Sequence, residues 1–447
     1  MKAFGRHRQQ VSHISMLWLV LALLALGLAA LGALALVVAR TPGVSGLVSA
    51  AAFQRALVVH VNLATLIWFL AMACSLWTES TSARPGMLRL GFGLSLAGAL
   101  GIVAIGLAGR GAAVLANYLP HLDSRAFLLA QACFAAGVLA TALASLRRPR
   151  GPGDWGLLCS VWPLLMGAID MVLQLRDGAG LEEALWSAGH LLQFSYITIL
   201  MTIWWRMAGA DDRRSVAPAV TIALFIMAAA PATLPPLLHL LSPTPGGNPH
   251  AAYSALMAAA GWPPAILLGL ALLIGVRHRR GALDAEAVVG VPASFAMIVV
   301  GCLVGSAITG ETTVIPAHYH GTVGAVTVAL MAYAQLRVRR AAGVEMLSPL
   351  ARVPLLLYGT GLLLLIAGLA WSGTLGTVRK LPFDAVAATL PVQVAAALTG
   401  LGGACAVAGV GLFVMSLLRG VLCLWQAKIL LKPPHCPGAA STSVAGR

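Results

Sequence analysis

The chain has 447 residues, of which 59% are hydrophobic and only 10% charged, and its mean hydropathy is +0.89. So little polar surface cannot cover a water-soluble protein of that length, and the solvent the sequence requires is a lipid bilayer. A net charge of +15 raises nucleic acid as a partner, but the placement of the basic residues removes the need for one.

Apolar runs long enough to span a hydrocarbon core of roughly 30 Å at about 1.5 Å per residue lie at 14–39, 56–77, 88–108, 125–146, 156–175 and 184–206, and again at 216–241, 251–276, 288–308, 316–337, 352–372 and 391–417. The expected fold is all-α: a polytopic membrane bundle of about twelve transmembrane helices with both termini on one side. If successive loops alternate between sides, 22 of the 29 Lys and Arg fall on the side of the termini. That bias makes the side cytoplasmic, explains the charge without nucleic acid, and points to a bacterial cytoplasmic membrane.

On this reading residues 1–13 are a cytoplasmic tail and 14–430 a single transmembrane domain. Residues 431–447, with Pro433, Pro434 and Pro437, form a disordered cytoplasmic tail. The first apolar run is too long for a signal-peptide core and reads as a retained helix. The seven cysteines form no C-x-x-C and no C-x-x-C-H, which argues against covalent heme attachment and a disulfide framework. No half-repeat of the secondary-transporter kind is visible.

Topology sorts the eleven histidines. His60 in the second span, His190 in the sixth, His239 at the end of the seventh and His318 and His320 at the start of the tenth share one layer, toward the face opposite the termini. Ionisable groups inside a bilayer are costly and usually face the bundle interior with a partner, and neutral imidazole is the common nitrogen ligand of heme iron and copper. At about 100° per residue, His318 and His320 diverge by roughly 200° around their helix, so they cannot bind one metal together but can serve two centres. Asp170 is the carboxylate placed clearly within the membrane, as a proton relay or a hydrogen-bonded structural group. His121 and His250 lie in or beside loops and read as solvated.

At these positions the sequence resembles subunit I of the heme-copper oxidase superfamily, which includes terminal oxygen reductases and nitric oxide reductases. Trp186-Ser187-Ala188-Gly189-His190 is similar to the family's W-x-x-G-H segment, and His239 follows 49 residues later. The run from Thr313 through His318-Tyr319-His320 to Val326 resembles the H-x-H segment of the tenth helix. The departures are Leu238 and Leu240 flanking His239, Phe194 where mitochondrial-type oxidases have a tyrosine, and Gln193 near the position where nitric oxide reductases have a glutamate.

The resemblance implies two hemes. His60 and His320 would be the axial ligands of a low-spin heme, and His318 the ligand of a high-spin, substrate-binding heme. His190 and His239 would hold a second metal, a copper like CuB or a non-heme iron, and Gln193 would lie beside the catalytic centre. Trp186 would pack against the active-site heme, and Arg379 and Lys380 would meet the propionates. Asp170 and Glu311 would move protons. The implied activity is reduction of dioxygen or nitric oxide, with electrons from a small donor subunit or a cytochrome c or cupredoxin-like protein at the outer face. The alternatives are a heme-bearing electron relay, sensor or assembly protein without turnover, and a cofactor-free permease.

Overall fold

A computed structural model of the chain describes residues 2–79, 81, 83–208, 216–241, 250–343, 352–383 and 389–430; side chains are described from residue 12 to 426 within that set. The expected disordered tail and the 242–249 loop lie outside the described residues. The helices are α1 (Lys2–Arg40), α2 (Ala50–Glu79), α3 (Pro85–Leu107), α4 (Arg125–Ala144), α5 (Pro152–Arg176), α6 (Leu181–Met207), α7 (Pro218–Leu241), α8 (His250–His278), α9 (Ala285–Ser306), α10 (Val314–Ala341), α11 (Val353–Thr374) and α12 (Leu390–Leu430). Among the described residues eleven of these are long and apolar enough to cross a membrane, and the chain is an all-α membrane bundle. α6 is as long as the others, but Glu182, Glu183 and Arg206 at its ends, with His190 and Gln193 inside it, make it the least lipid-like. The stretch expected as a short amino-terminal tail is instead helical from Lys2 and continues α1.

Consecutive helices pack as antiparallel hairpins, and α12 lies against α1, which closes the bundle. α10 contacts α6, α9, α11 and α12. It is the least apolar of the eleven membrane-length helices and also the most deeply buried. That inverts the rule for water-soluble proteins, because in lipid the polar side chains are the ones that need the interior. α11 and α12 touch through Gly361 and Gly402, where a Cβ would run into the partner's backbone.

Two irregularities shape the end of the bundle away from the termini. α2 opens into a π-helical turn over Asn62–Ile67, beginning two residues after His60. Between α3 and α4 the chain makes a two-stranded hairpin, β1 (Ala113–Val114) with β2 (His121–Leu122), whose connecting residues 115–120 lie across the bundle. Asn62 ties the two together: its Nδ2 donates to Pro120 O at 2.8 Å and Val58 O at 2.9 Å, and its Oδ1 accepts from Gln131 Nε2 at 2.8 Å. His121, expected to be solvated, is 5% exposed, because the hairpin folds it inward against α2 and α4. Asn62→Ala removes a buried polar knot, and should cost about 1–3 kcal/mol, read as a lower thermal midpoint in detergent with the helical signal of the folded protein unchanged.

Candidate functional site: a histidine-lined cavity

The cavity between α1, α2, α6, α10, α11 and α12 has a volume of about 330 Å³, and its lining includes both His60 and His320. The rest of its wall is largely aliphatic, from Leu26 and Ala29 on α1 to Leu362 and Leu365 on α11 and Val407 and Val410 on α12. Polar groups gather toward one part of it: Asn117 and Tyr118 from the hairpin, Arg379 and Lys380 from the α11–α12 loop, and Arg40 at the end of α1. Gln193 and Tyr196 of α6 also reach it.

Hydrogen bonding sets the tautomer of both histidines. His60 Nδ1 lies 2.9 Å from Ala29 O, and His320 Nδ1 lies 2.7 Å from Pro316 O. A carbonyl oxygen only accepts, so each Nδ1 carries the proton and each Nε2 keeps its lone pair. A metal-bound histidine typically has this arrangement, with one nitrogen on the metal and the other donating to a fixed acceptor. If a heme were bound in this cavity, His60 and His320 would hold it, and it would supply electron transfer.

His318 faces away from this cavity. Its Nδ1 donates to Gly301 O on α9 at 2.8 Å, and its ring rests against Gly305, where a Cβ would overlap it. Tyr319, between the two histidines in sequence, lines the cavity, with its ring centroid 6.0 Å from that of Tyr118.

Arg379 pairs with Glu311, whose side chain is 70% exposed, and donates to Asn117 Oδ1 at 2.9 Å. Lys380 Nζ donates to Leu115 O and to Asn117 Oδ1. Burial pushes the Lys380 ammonium below its ordinary range, with Arg379 adding to the effect. Arg40 sits over the Phe53 ring at 5.5 Å. An apolar chamber with cations on one side suits a cofactor that carries carboxylates at one edge.

Among the described residues, Tyr118 and Lys380 are the two non-glycine residues with positive φ, 65° and 64°. Both line the cavity, so the backbone strain of the described chain is concentrated where the side chains must be aimed inward.

Beside the cavity lies an aromatic cluster around His190, which is 5% exposed. Tyr118 OH is 3.4 Å from His190 Nε2 with ring centroids 4.7 Å apart, and Trp186 packs against both, its ring 4.2 Å from His190 and 6.1 Å from Tyr118. Trp186 stacks on His250 at 3.9 Å and is not part of the cavity wall. His250 Nε2 lies 3.5 Å from Glu183 Oε1. Burial holds the Tyr118 hydroxyl well above its ordinary pKa, so it stays protonated. Gly189 is what lets Tyr118 approach, since a Cβ there would overlap the Tyr118 Cβ. Gly189→Val should therefore cost about 1–3 kcal/mol through overpacking. The check is thermal unfolding together with loss of the Tyr118 to His190 proximity, followed by a crosslink between cysteines placed at neighbouring positions.

His239 and Asp170 form a further group. Asp170 is fully buried, and its Oδ2 accepts from Tyr253 OH at 2.8 Å and from Gln174 Nε2 at 2.9 Å. His239 Nε2 lies 3.9 Å from Asp170 Oδ1 and its Nδ1 3.8 Å from Asp177 Oδ2. Among the described residues no three of His, Cys, Asp and Glu converge on a point that could hold a metal.

Of the residues singled out from sequence, the structure thus brings His60, His320, Gln193, Arg379 and Lys380 to one cavity. His318, His190, Trp186, Asp170, His239 and Glu311 lie outside its wall. Arg40, Asn117, Tyr118 and Tyr253 were missed. Arg40 carried a signal, a lone cation closing an apolar run; the three loop and helix-start residues carried none.

No family model matches the chain. It is similar to an uncharacterized protein of Rickettsia prowazekii, 30% identical over 253 residues, which is 44% of this chain and 48% of that one. It is also similar to an uncharacterized protein of Aquifex aeolicus, 26% identical over 332 residues, 71% of this chain and 82% of that one. The match thus spans about half the length of the Rickettsia relative.

Proposed function

We propose that the chain is a heme-bearing membrane oxidoreductase of the heme-copper oxidase type, lying in a bacterial cytoplasmic membrane with twelve passes and both termini inside. The observation that carries this reading is the cavity shared by His60 and His320, each with Nδ1 fixed on a carbonyl and Nε2 left for a ligand. Two imidazoles on one iron leave no position for substrate, so this centre would relay electrons. The cations Arg379 and Lys380, with Arg40, would hold the carboxylates of that heme.

His318, turned to the other side of α10, would carry the second heme, where one open position would accept a diatomic ligand. Reduction of dioxygen or nitric oxide there is the full activity that the resemblance implies, with electrons from a cytochrome c or cupredoxin-like donor at the face opposite the termini. A second reading, an electron relay without turnover, is favoured by the pairing of His239 with two carboxylates.

The test is an optical spectrum of purified, dithionite-reduced protein with and without carbon monoxide, after expression with ample heme. A six-coordinate heme beside one that binds carbon monoxide supports the oxidoreductase. Heme insensitive to carbon monoxide supports the relay, and colourless protein defeats both.

A further inference from the structure

The two carboxylates beside His239 are built alike. Asp170 of α5 is fully buried, and its Oδ2 takes the Tyr253 hydroxyl and the Gln174 amide. Asp177, one residue beyond α5, takes Arg176 Nε on its Oδ1 at 2.8 Å. The other oxygen of each, Asp170 Oδ1 and Asp177 Oδ2, is buried without a hydrogen-bond partner, and each faces a ring nitrogen of His239. A neutral imidazole has one N–H, so it cannot satisfy two bare carboxylate oxygens. The separations, 3.9 Å to Nε2 and 3.8 Å to Nδ1, are also too long for hydrogen bonds. An ion about 2.1 Å from each of two donors holds them no more than about 4.2 Å apart, and the gap between Asp170 Oδ1 and His239 Nε2, 3.9 Å, falls inside that limit.

We propose that a divalent transition-metal ion binds between Asp170 Oδ1 and His239 Nε2. The Nδ1 proton then faces Asp177, in the carboxylate–histidine–metal order that fixes a ligand's tautomer and orientation. Tyr253 and Gln174 hold the Asp170 carboxylate in place from its other oxygen. Among the described residues no third His, Cys, Asp or Glu completes the set, so water fills the remaining positions. One imidazole, one carboxylate and water suit Mn²⁺, Fe²⁺ or Zn²⁺, whereas copper(I) takes sulfur ligands and Mg²⁺ or Ca²⁺ takes oxygen alone. The site differs from the metal centre that the resemblance implies between His190 and His239. Asp170 stands in for His190, whose Nε2 meets the Tyr118 hydroxyl. The side chains of His239 and Asp177 are 18% and 17% exposed, which leaves the ion a way in.

The test is titration of Mn²⁺ into purified, chelator-stripped full-length protein in detergent, with the free ion read by electron paramagnetic resonance. One saturable Mn²⁺ per chain is expected. Asp170→Asn and His239→Ala should each abolish it, and Asp177→Asn should weaken it about 10–100-fold. His278→Ala, at the exposed end of α8, should leave it unchanged. Where a variant does not fold, the parent still decides, because the spin echo of its bound Mn²⁺ should carry the coupling of one imidazole nitrogen. No saturable binding, equal binding by Asp170→Asn, or an echo without nitrogen would overturn the proposal. None of these readings needs heme. Colourless protein that binds Mn²⁺ in this way defeats the previous subsection alone, and heme-bearing protein that takes no Mn²⁺ defeats this proposal alone.

Discussion

Replacing His320 with alanine should abolish the six-coordinate heme signal and leave any heme on His318 in place. The two rings belong to different surroundings: His320 lines the cavity with His60, while His318 is hydrogen-bonded to Gly301 and packed against Gly305. Removing one axial imidazole from a six-coordinate iron leaves a weakly held, five-coordinate heme that binds carbon monoxide. His60→Ala should do the same, and the double variant, left with no imidazole at this centre, should lose that heme altogether. Heme content by pyridine complex, combined with the carbon monoxide difference spectrum, reads the outcome. An unchanged six-coordinate spectrum in His320→Ala would remove this cavity as the heme site.

The second large effect is on stability. At the end of the bundle that holds the chain's N-terminus, Arg339 of α10 is 9% exposed and clasps the fully buried Glu286 of α9, with Nε to Oε1 at 2.6 Å and a terminal nitrogen to Oε2 at 3.0 Å. It also meets Asp284, which keeps a second partner in Arg340. Arg339→Leu strands the Glu286 carboxylate in a buried site, and breaking such a pair costs about 3–5 kcal/mol. Combining it with Glu286→Leu removes the stranded charge and should recover most of the loss. Thermal unfolding in detergent compares the parent, the single and the double variants; equal damage in both would show that the clasp acts through packing and not through charge.

Much of this fold could be read from composition, because every run long enough to cross a bilayer became a helix. That His60 and His320 line one cavity was legible for a related reason, because counting residues along a helix puts both toward the same end of the bundle. The α3–α4 hairpin was not legible. Its residues 115–120 have no periodicity, and their position depends on the side chains of Asn62, Arg379 and Lys380, each distant in sequence. His121 was misplaced with it, since burial of a loop residue depends on where the loop folds and not on its own polarity. His239 marks a subtler limit. Counting residues along a helix does not reveal which neighbours a ring nitrogen meets, and here they are Asp170 and Asp177.

The hairpin residues that cover the cavity come from the first third of the chain, yet their fastenings, Arg379 and Lys380, lie more than 260 positions later. During synthesis the chamber therefore has walls from α1 and α2 long before it has a latched roof. Any bulky prosthetic group can enter from above until the eleventh helix and its following loop emerge. On the heme reading, loading would belong to biogenesis, and a finished chain made without heme would be slow to accept it.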